Sequence, residues 1–349
     1  MPKSGSKPLV LALASAALLS AAVLAVVGLR RGLDSTGEAG ALARSAAPGD
    51  PATPSARDGA TTEAILASAD ELVRRAEADR AEAVLRAAVA QHPEDQELRL
   101  ALAGACVLQD KLPAAYEQYE AALALGPRTP EIEFTAGTVA STLDRLDRAE
   151  EHFSAAQAGD TSDPRFPLYL AQIQMKQGAN DAARKNLLLA TRLDETLAIA
   201  WGTLAEISLR ESEPNVALQL VARARELEPA VAAWRVIEAR ALNRVRQPDR
   251  ALAALGGIPE AERRQLPILR LVGECYGLLG RPAEAMSEFE AAAAQSPEDG
   301  DLLFDTAVWC ERANEPDKAR AYARRAADLG IRAGADMAAR LTALPEDPG

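Results

Sequence analysis

The feature that most constrains this chain is an alanine that returns every 34 residues. Ala81, Ala115, Ala149, Ala183, Ala217, Ala251, Ala285 and Ala319 stand on one unbroken register. Four residues after each come Leu85, Tyr119, Phe153, Leu187, Val221, Leu255, Phe289 and Ala323, of which seven are large and apolar. Three further on are Ala88, Ala122, Ala156, Ala190, Ala224, Ile258, Ala292 and Ala326. Offsets of four and seven share one face of a helix. The small residues let a neighbouring helix come close, and the large one fills the space between them. A fixed period of this length means stacked supersecondary units. Composition agrees, since 48% of residues are hydrophobic but only 4% aromatic. Alanine and leucine therefore carry the apolar content and favour helix over strand.

Another helix precedes this one in each period. Its pattern is clearest in Leu269-x-x-Val272-Gly273-x-x-Tyr276 and recurs as Trp201-x-x-Leu204-Ala205-x-x-Ser208 and Leu303-x-x-Thr306-Ala307-x-x-Cys310. Punctuation marks the helix ends. Pro214, Pro248, Pro282 and Pro316 lie three residues before their alanines, in the first turn, where a missing N–H costs nothing. Gly178, Gly280 and Asn314 suit the left-handed end of the preceding helix. Pro93, Pro127, Pro229 and Pro297, twelve residues after their alanines, stop the second helix.

Together these motifs resemble the tetratricopeptide repeat family, whose signature is W-x2-L-G-x2-Y, then A-x3-F-x2-A, then P. The resemblance covers residues 62–330 in eight copies. It implies an all-α, right-handed α-solenoid of about eight helix pairs. Residues 331–344, with Met337, Leu341 and Leu344, read as a capping helix, and 345–349 as a disordered tail. Three repeats, the third, fourth and sixth, depart from the pattern. Glu133 and Pro167 stand where a large apolar residue is expected, and Trp234 falls one residue early. Gly256-Gly257-Ile258-Pro259 cuts one second helix short, which predicts a kink.

The amino-terminal part reads differently. After a basic tail (1–7), residues 8–29 carry no charge and are long enough to cross a bilayer. The run exceeds the core of a cleavable signal peptide, and Arg30 and Arg31 follow it directly. It reads as one transmembrane helix, an uncleaved signal anchor. A short tail kept inside would place the repeats outside the cytoplasm. The alternative is a cleaved leader and a soluble secreted or periplasmic carrier. Residues 30–61, rich in Ala, Gly, Ser, Thr and Pro, read as a disordered linker.

Function classes narrow quickly. Asp and Glu outnumber Lys and Arg by 51 to 39, a net charge of -12, which opposes nucleic-acid binding. No nucleophile elbow, phosphate loop or zinc-protease motif occurs, so the chain reads as no enzyme, with no cofactor, metal or small-molecule substrate. His92 and His152 are isolated in sequence, and His152, beside Phe153, reads as a surface residue. Cys106 and Cys310 occupy the tyrosine slot of first helices as inert thiols. A Cys275–Cys310 disulfide in an oxidising compartment stays open.

The resemblance further implies that the first helices line a concave groove for extended peptides or partner helices. Candidate groove residues are Arg165, Met175, Lys176, Glu206, Arg210, Glu274 and Arg312, with Phe134, Leu168 and Phe304 as apolar contacts and Trp309 beside them. The same charges also read as ordinary solvated surface. The family's basic clamp for a terminal carboxylate is missing from the first two repeats, where Leu66, Asp70, Leu100 and Gly104 stand. The whole chain thus reads as a membrane-tethered, non-catalytic scaffold that binds protein or peptide partners, with assembly or secretion at the cell envelope as its setting.

Overall fold

The computed structural model describes residues 61–343, and every element among them is helical. Two compact units divide the chain, the first ending at Asp194 and the second beginning at Glu195. The first unit holds α1 (Thr62–Arg74), α2 (Ala78–Gln91), α3 (Gln96–Leu108), α4 (Leu112–Leu125), α5 (Pro130–Thr142), α6 (Leu146–Gly159), α7 (Arg165–Lys176) and α8 (Asn180–Leu193). The second holds α9 (Ala198–Arg210), α10 (Pro214–Leu227), α11 (Ala232–Arg244), α12 (Pro248–Gly256), α13 (Glu260–Arg263), α14 (Leu266–Leu278), α15 (Pro282–Gln295), α16 (Gly300–Arg312), α17 (Pro316–Asp328) and α18 (Arg332–Thr342). Within each unit a first helix pairs with the second helix that follows it, and the pairs stack in chain order.

The eight recurring alanines are each 0% exposed. The large residues four positions on, and the small ones three further, are also buried. Side chains such as Leu85, Tyr119, Phe153 and Leu187 are therefore fully withdrawn from water, and each contributes about 1.5–3 kcal/mol by burial. That spine is the packing predicted by the 34-residue register.

The turn within each pair follows the same period. Ala76, Asp110, Asp144, Gly178, Ser212, Arg246, Gly280 and Asn314 all have positive φ, between 56° and 82°. The N–H one residue later donates to the carbonyl five residues back, as in Glu77 to Leu72, Lys111 to Cys106, Arg145 to Ala140 and Glu315 to Cys310, each 2.9 Å. This left-handed closure satisfies carbonyls that the helix end leaves open. Six of these eight residues are not glycine, and so carry strain. First helices open with side-chain caps from Thr61, Asp95, Thr129 and Asp299, which accept from the backbone N–H three residues on.

Two irregularities have a physical origin. The bulky residue missing at Glu133 and Pro167 sits one position earlier, in a row formed by Leu98, Ile132 and Phe166 in the first unit and Ala200, Trp234, Ile268 and Leu302 in the second. Trp234 belongs to this row rather than being displaced. The glycine pair shortens its second helix as expected: α12 stops after nine residues where α10 and α15 run to fourteen. The one-turn α13 follows, and a cleft of about 630 Å³ opens over Leu252, Leu255, Leu269 and Val272.

The membrane-spanning architecture is corrected. No helix among the described residues is long and apolar enough to cross a membrane. The expected anchor (8–29), the basic tail (1–7), the linker as far as residue 60 and the final tail lie outside the described residues. The single-pass, extracytoplasmic placement and the membrane as a partner therefore lose their basis, and the fold stands as an α-solenoid of helix pairs alone.

Candidate functional site

First helices offer one face to their paired second helices and another away from them. In the first unit the outer row is apolar: Leu66, Leu100, Phe134 and Leu168, 34 residues apart on α1, α3, α5 and α7. Three of these four are buried. Phe134 is the centre of an aromatic cluster, with ring centroids 5.6 Å from Phe153, 5.5 Å from Phe166 and 4.9 Å from Tyr169. Arg165 lies over this cluster, 5.2 Å from the Phe134 ring, while its guanidinium is held by Asp163. Burial pushes the Tyr169 hydroxyl up to about 12. Met175 is buried and Lys176 exposed at the end of α7. The structure thus makes Phe134, Leu168 and Met175 packing residues, with Arg165 and Lys176 left at the surface.

In the second unit the same row reads Gly202, Val236, Arg270 and Phe304, and charge gathers in the neighbouring rows towards the helix ends. Consecutive first helices touch along their length. A methyl at Gly202 of α9 would lie 2.0 Å from Trp234 Cζ3 of α11. The Cys275 thiol of α14 donates to Asn243 Oδ1 of α11 at 3.3 Å. Arg270 of α14 pairs with Asp305 of α16 at 3.3 Å, and Gly277 lies under the Trp309 ring. Across this face runs a last-turn row, Arg210, Arg244, Leu278 and Arg312, again 34 residues apart.

The charges in this row are unevenly satisfied. Arg210 is held by the buried Glu206 at 3.3 Å. Arg312 lies 4.7 Å above the Trp309 ring. Arg240, half-buried, and Arg244, exposed, make no ion pair among the described residues. Their field reaches Glu274, whose carboxyl is raised by lost hydration and drawn down by Arg270, Arg240 and Arg244. Asp305 is likewise raised by burial, with Arg270 opposing. Leu278 is 39% exposed beside them, and Phe304 is half-buried. Trp309, half-buried, stacks on Phe289 at 6.0 Å, so it packs against the core.

Arg240, Arg244, Arg270, Leu278 and Asp305 are absent from the residues expected from sequence. The register contains the signal for four of them, since Arg240 is Glu274 less 34, Arg244 is Arg210 plus 34, Leu278 is Arg312 less 34 and Arg270 is Phe304 less 34. His152 is the other difference. It is 3% exposed rather than at the surface. The three cysteines are buried and free, so no Cys275–Cys310 disulfide is present. Burial pushes the thiols of both up to about 11, which makes them poor nucleophiles.

Helix hairpins stacked at a 34-residue period define an α-helical repeat protein. A tetratricopeptide repeat profile matches residues 66–130, 134–198 and 279–337, more than half of the chain. The chain belongs to the tetratricopeptide repeat family, and its fold is a non-catalytic scaffold rather than an enzyme. A search of curated proteins finds no match. Among solved structures, the anaphase-promoting-complex hetero-tetramer Cut9–Hcn1 is 13% identical with a TM-score of 0.53, covering 80% of this chain and 56% of that one. That likeness is one of fold. A tetratricopeptide repeat protein from Parabacteroides merdae is 14% identical with a TM-score of 0.47, covering 80% and 98%. YrrB, described as having an unusual peptide-binding site, is 20% identical with a TM-score of 0.46, covering 56% and 100%.

Proposed function

We propose that this chain is a non-catalytic interaction scaffold whose second unit takes up acidic peptide segments on the face formed by α11, α14 and α16. One observation carries the reading: beside a basic last-turn row, Arg240 and Arg244 make no ion pair among the described residues, in a chain of net charge -12. Cations at helix C-termini are mildly favoured by the helix dipole. Arg240 lies a full turn inside α11 and half-buried, so that explanation does not extend to it. An acidic partner would restore the interactions that its guanidinium lacks. Leu278 and Phe304 give such a segment an apolar contact between the charges, which supplies orientation.

The test is fluorescence anisotropy with labelled peptides of matched length, one Asp/Glu-rich with a central leucine and one Lys-rich. The acidic peptide should bind, more weakly as salt rises. Reversing Arg240 and Arg244 to Glu together should weaken it about tenfold or more, which is about 1.4 kcal/mol. Equal binding of both peptides, or an affinity indifferent to the double reversal, would remove the proposed site.

A further inference from the structure

The break in the sixth repeat leaves more than a short helix. Where α12 stops, Gly256 and Gly257 are exposed, and the chain regains helix only in the one-turn α13. Ile258 is 3% exposed and keeps the place that alanine holds in the other repeats, so the spine stays closed here. The cleft of about 630 Å³ opens between α12, α13, α14 and α15. Its floor is apolar, formed by Leu252, Leu255, Leu269 and Val272, and Ala291 and Ala294 of α15 are exposed along one wall. The walls are pinned. The Gln295 amide at the end of α15 donates to the Arg264 carbonyl after α13 at 2.7 Å. Gly257 leaves room for the Arg235 guanidinium, which stands 2.4 Å from where a Cβ would be.

Charges of both signs line this cleft. Arg264 is matched by Glu260 at 3.7 Å, and both are largely exposed. Arg263 of α13 and Glu288 of α15 are half-buried and make no ion pair among the described residues. Lost hydration raises the Glu288 carboxyl, and Arg263 and Arg264 draw it down without closing on it. Withdrawing a charge from water without a partner is costly. An apolar cleft of about 300–1,000 Å³ with a few polar groups is the usual form of a ligand site. This one is separate from the basic face. On α14, Leu269, Val272 and Tyr276 line the cleft, whereas Arg270, Glu274 and Leu278 belong to the other face. At about 100° per residue, these two sets lie on opposite sides of the helix.

We propose that this cleft is a second peptide-binding site, which takes leucine-sized side chains on its apolar floor while a flanking base meets Glu288 and a flanking acid meets Arg263. A segment with two acids would bring a like charge to Glu288, and one with two bases a like charge to Arg263. The site therefore selects a segment of mixed charge. Covering Leu252, Leu255, Leu269 and Val272 supplies affinity. The two charge-assisted contacts fix the direction in which the segment lies.

The test is fluorescence anisotropy on the full chain with short, end-blocked, labelled peptides. Two carry the cores Lys-Leu-Leu-Glu and Glu-Leu-Leu-Lys, and the controls carry Glu-Leu-Leu-Glu, Lys-Leu-Leu-Lys and Lys-Ser-Ser-Glu. One mixed-charge order should bind saturably, about tenfold or more tighter than any control. Ala291→Trp fills the cleft from an exposed position and should abolish that binding with helix content unchanged by circular dichroism. Because a bulky variant can disturb the fold, Arg263→Glu with Glu288→Lys is the second arm, and it should transfer preference to the opposite peptide order. Arg240→Glu with Arg244→Glu should leave this binding intact, so the cleft and the basic face stand or fall separately. No saturable binding of either order, equal binding of the like-charged controls, or binding indifferent to both cleft variants would overturn the proposal.

Discussion

Gly202→Ala separates close helix packing from local helix preference, because the two predict opposite signs. Gly202 lies inside α9. In an open helix, alanine for glycine gains about 1 kcal/mol. Here the new methyl would lie 2.0, 2.5 and 2.6 Å from Cζ3, Cε3 and Cη2 of Trp234, where carbon atoms prefer about 3.5–4.0 Å. Trp234 is 3% exposed, so its rigid ring has no solvent to swing into. The helices must part or the indole must leave its site. Overpacking of this kind costs about 1–3 kcal/mol and occasionally more. A methyl so deep in the ring belongs at the upper end, which leaves a net loss of about 1–2 kcal/mol after the helix gain is offset. Urea denaturation followed by circular dichroism, in the parent and in a Trp234→Leu background, measures both terms. The substitution should lower the midpoint in the parent and raise it, or leave it unchanged, once the indole has been replaced by the smaller leucine. A higher midpoint in the parent would refute the close approach of α9 and α11.

Arg246 holds a left-handed turn at φ 60°, so Arg246→Gly should stabilise by about 0.5–1 kcal/mol, read as a higher thermal midpoint with unchanged helix content. The Lys111 ammonium, 2.6 Å from the buried Glu82, holds that carboxyl below the usual range. This contribution is present above the ordinary carboxylate range and lost as pH falls. Lys111→Met should therefore lower the urea midpoint at pH 7 and change it little near pH 3. Glu274 is an exposed carboxylate on the same face as Arg240 and Arg244, so Glu274→Gln should tighten the acidic peptide in the anisotropy assay.

How much was legible in sequence follows from which interactions repeat. The alanine rows recur eight times and depend only on side-chain size, so the spine and the helix pairing could be read directly. The turns were only partly visible. Gly178, Gly280 and Asn314 announce left-handed backbone, whereas Ala76 and Arg246 adopt it because the closing hydrogen bonds and the packed hairpin override their own preference. Glu133 looked like a defect in an apolar row and is instead the buried partner of His152, 19 residues away, a pairing that occurs once and has no period to betray it. The charged face of the second unit was half visible. Arg210 and Arg312 were picked out, but their row-mates Arg244 and Leu278 gain meaning only when α9, α11, α14 and α16 lie side by side. The anchor rests on the uncharged run 8–29, its length and the flanking Arg30 and Arg31, none of which carries tertiary information to check it.

The account rests on methyl-sized residues at helix crossings, and two substitutions in one helix test that directly. Ala285 of α15 is 0% exposed, while Ala283, two residues earlier, faces solvent. Unfolding free energies of Ala285→Leu and Ala283→Leu should differ sharply, the first losing about 1–3 kcal/mol or more and the second staying within about 0.5 kcal/mol of the parent. Equal effects at the two positions would contradict the packing on which every later step depends.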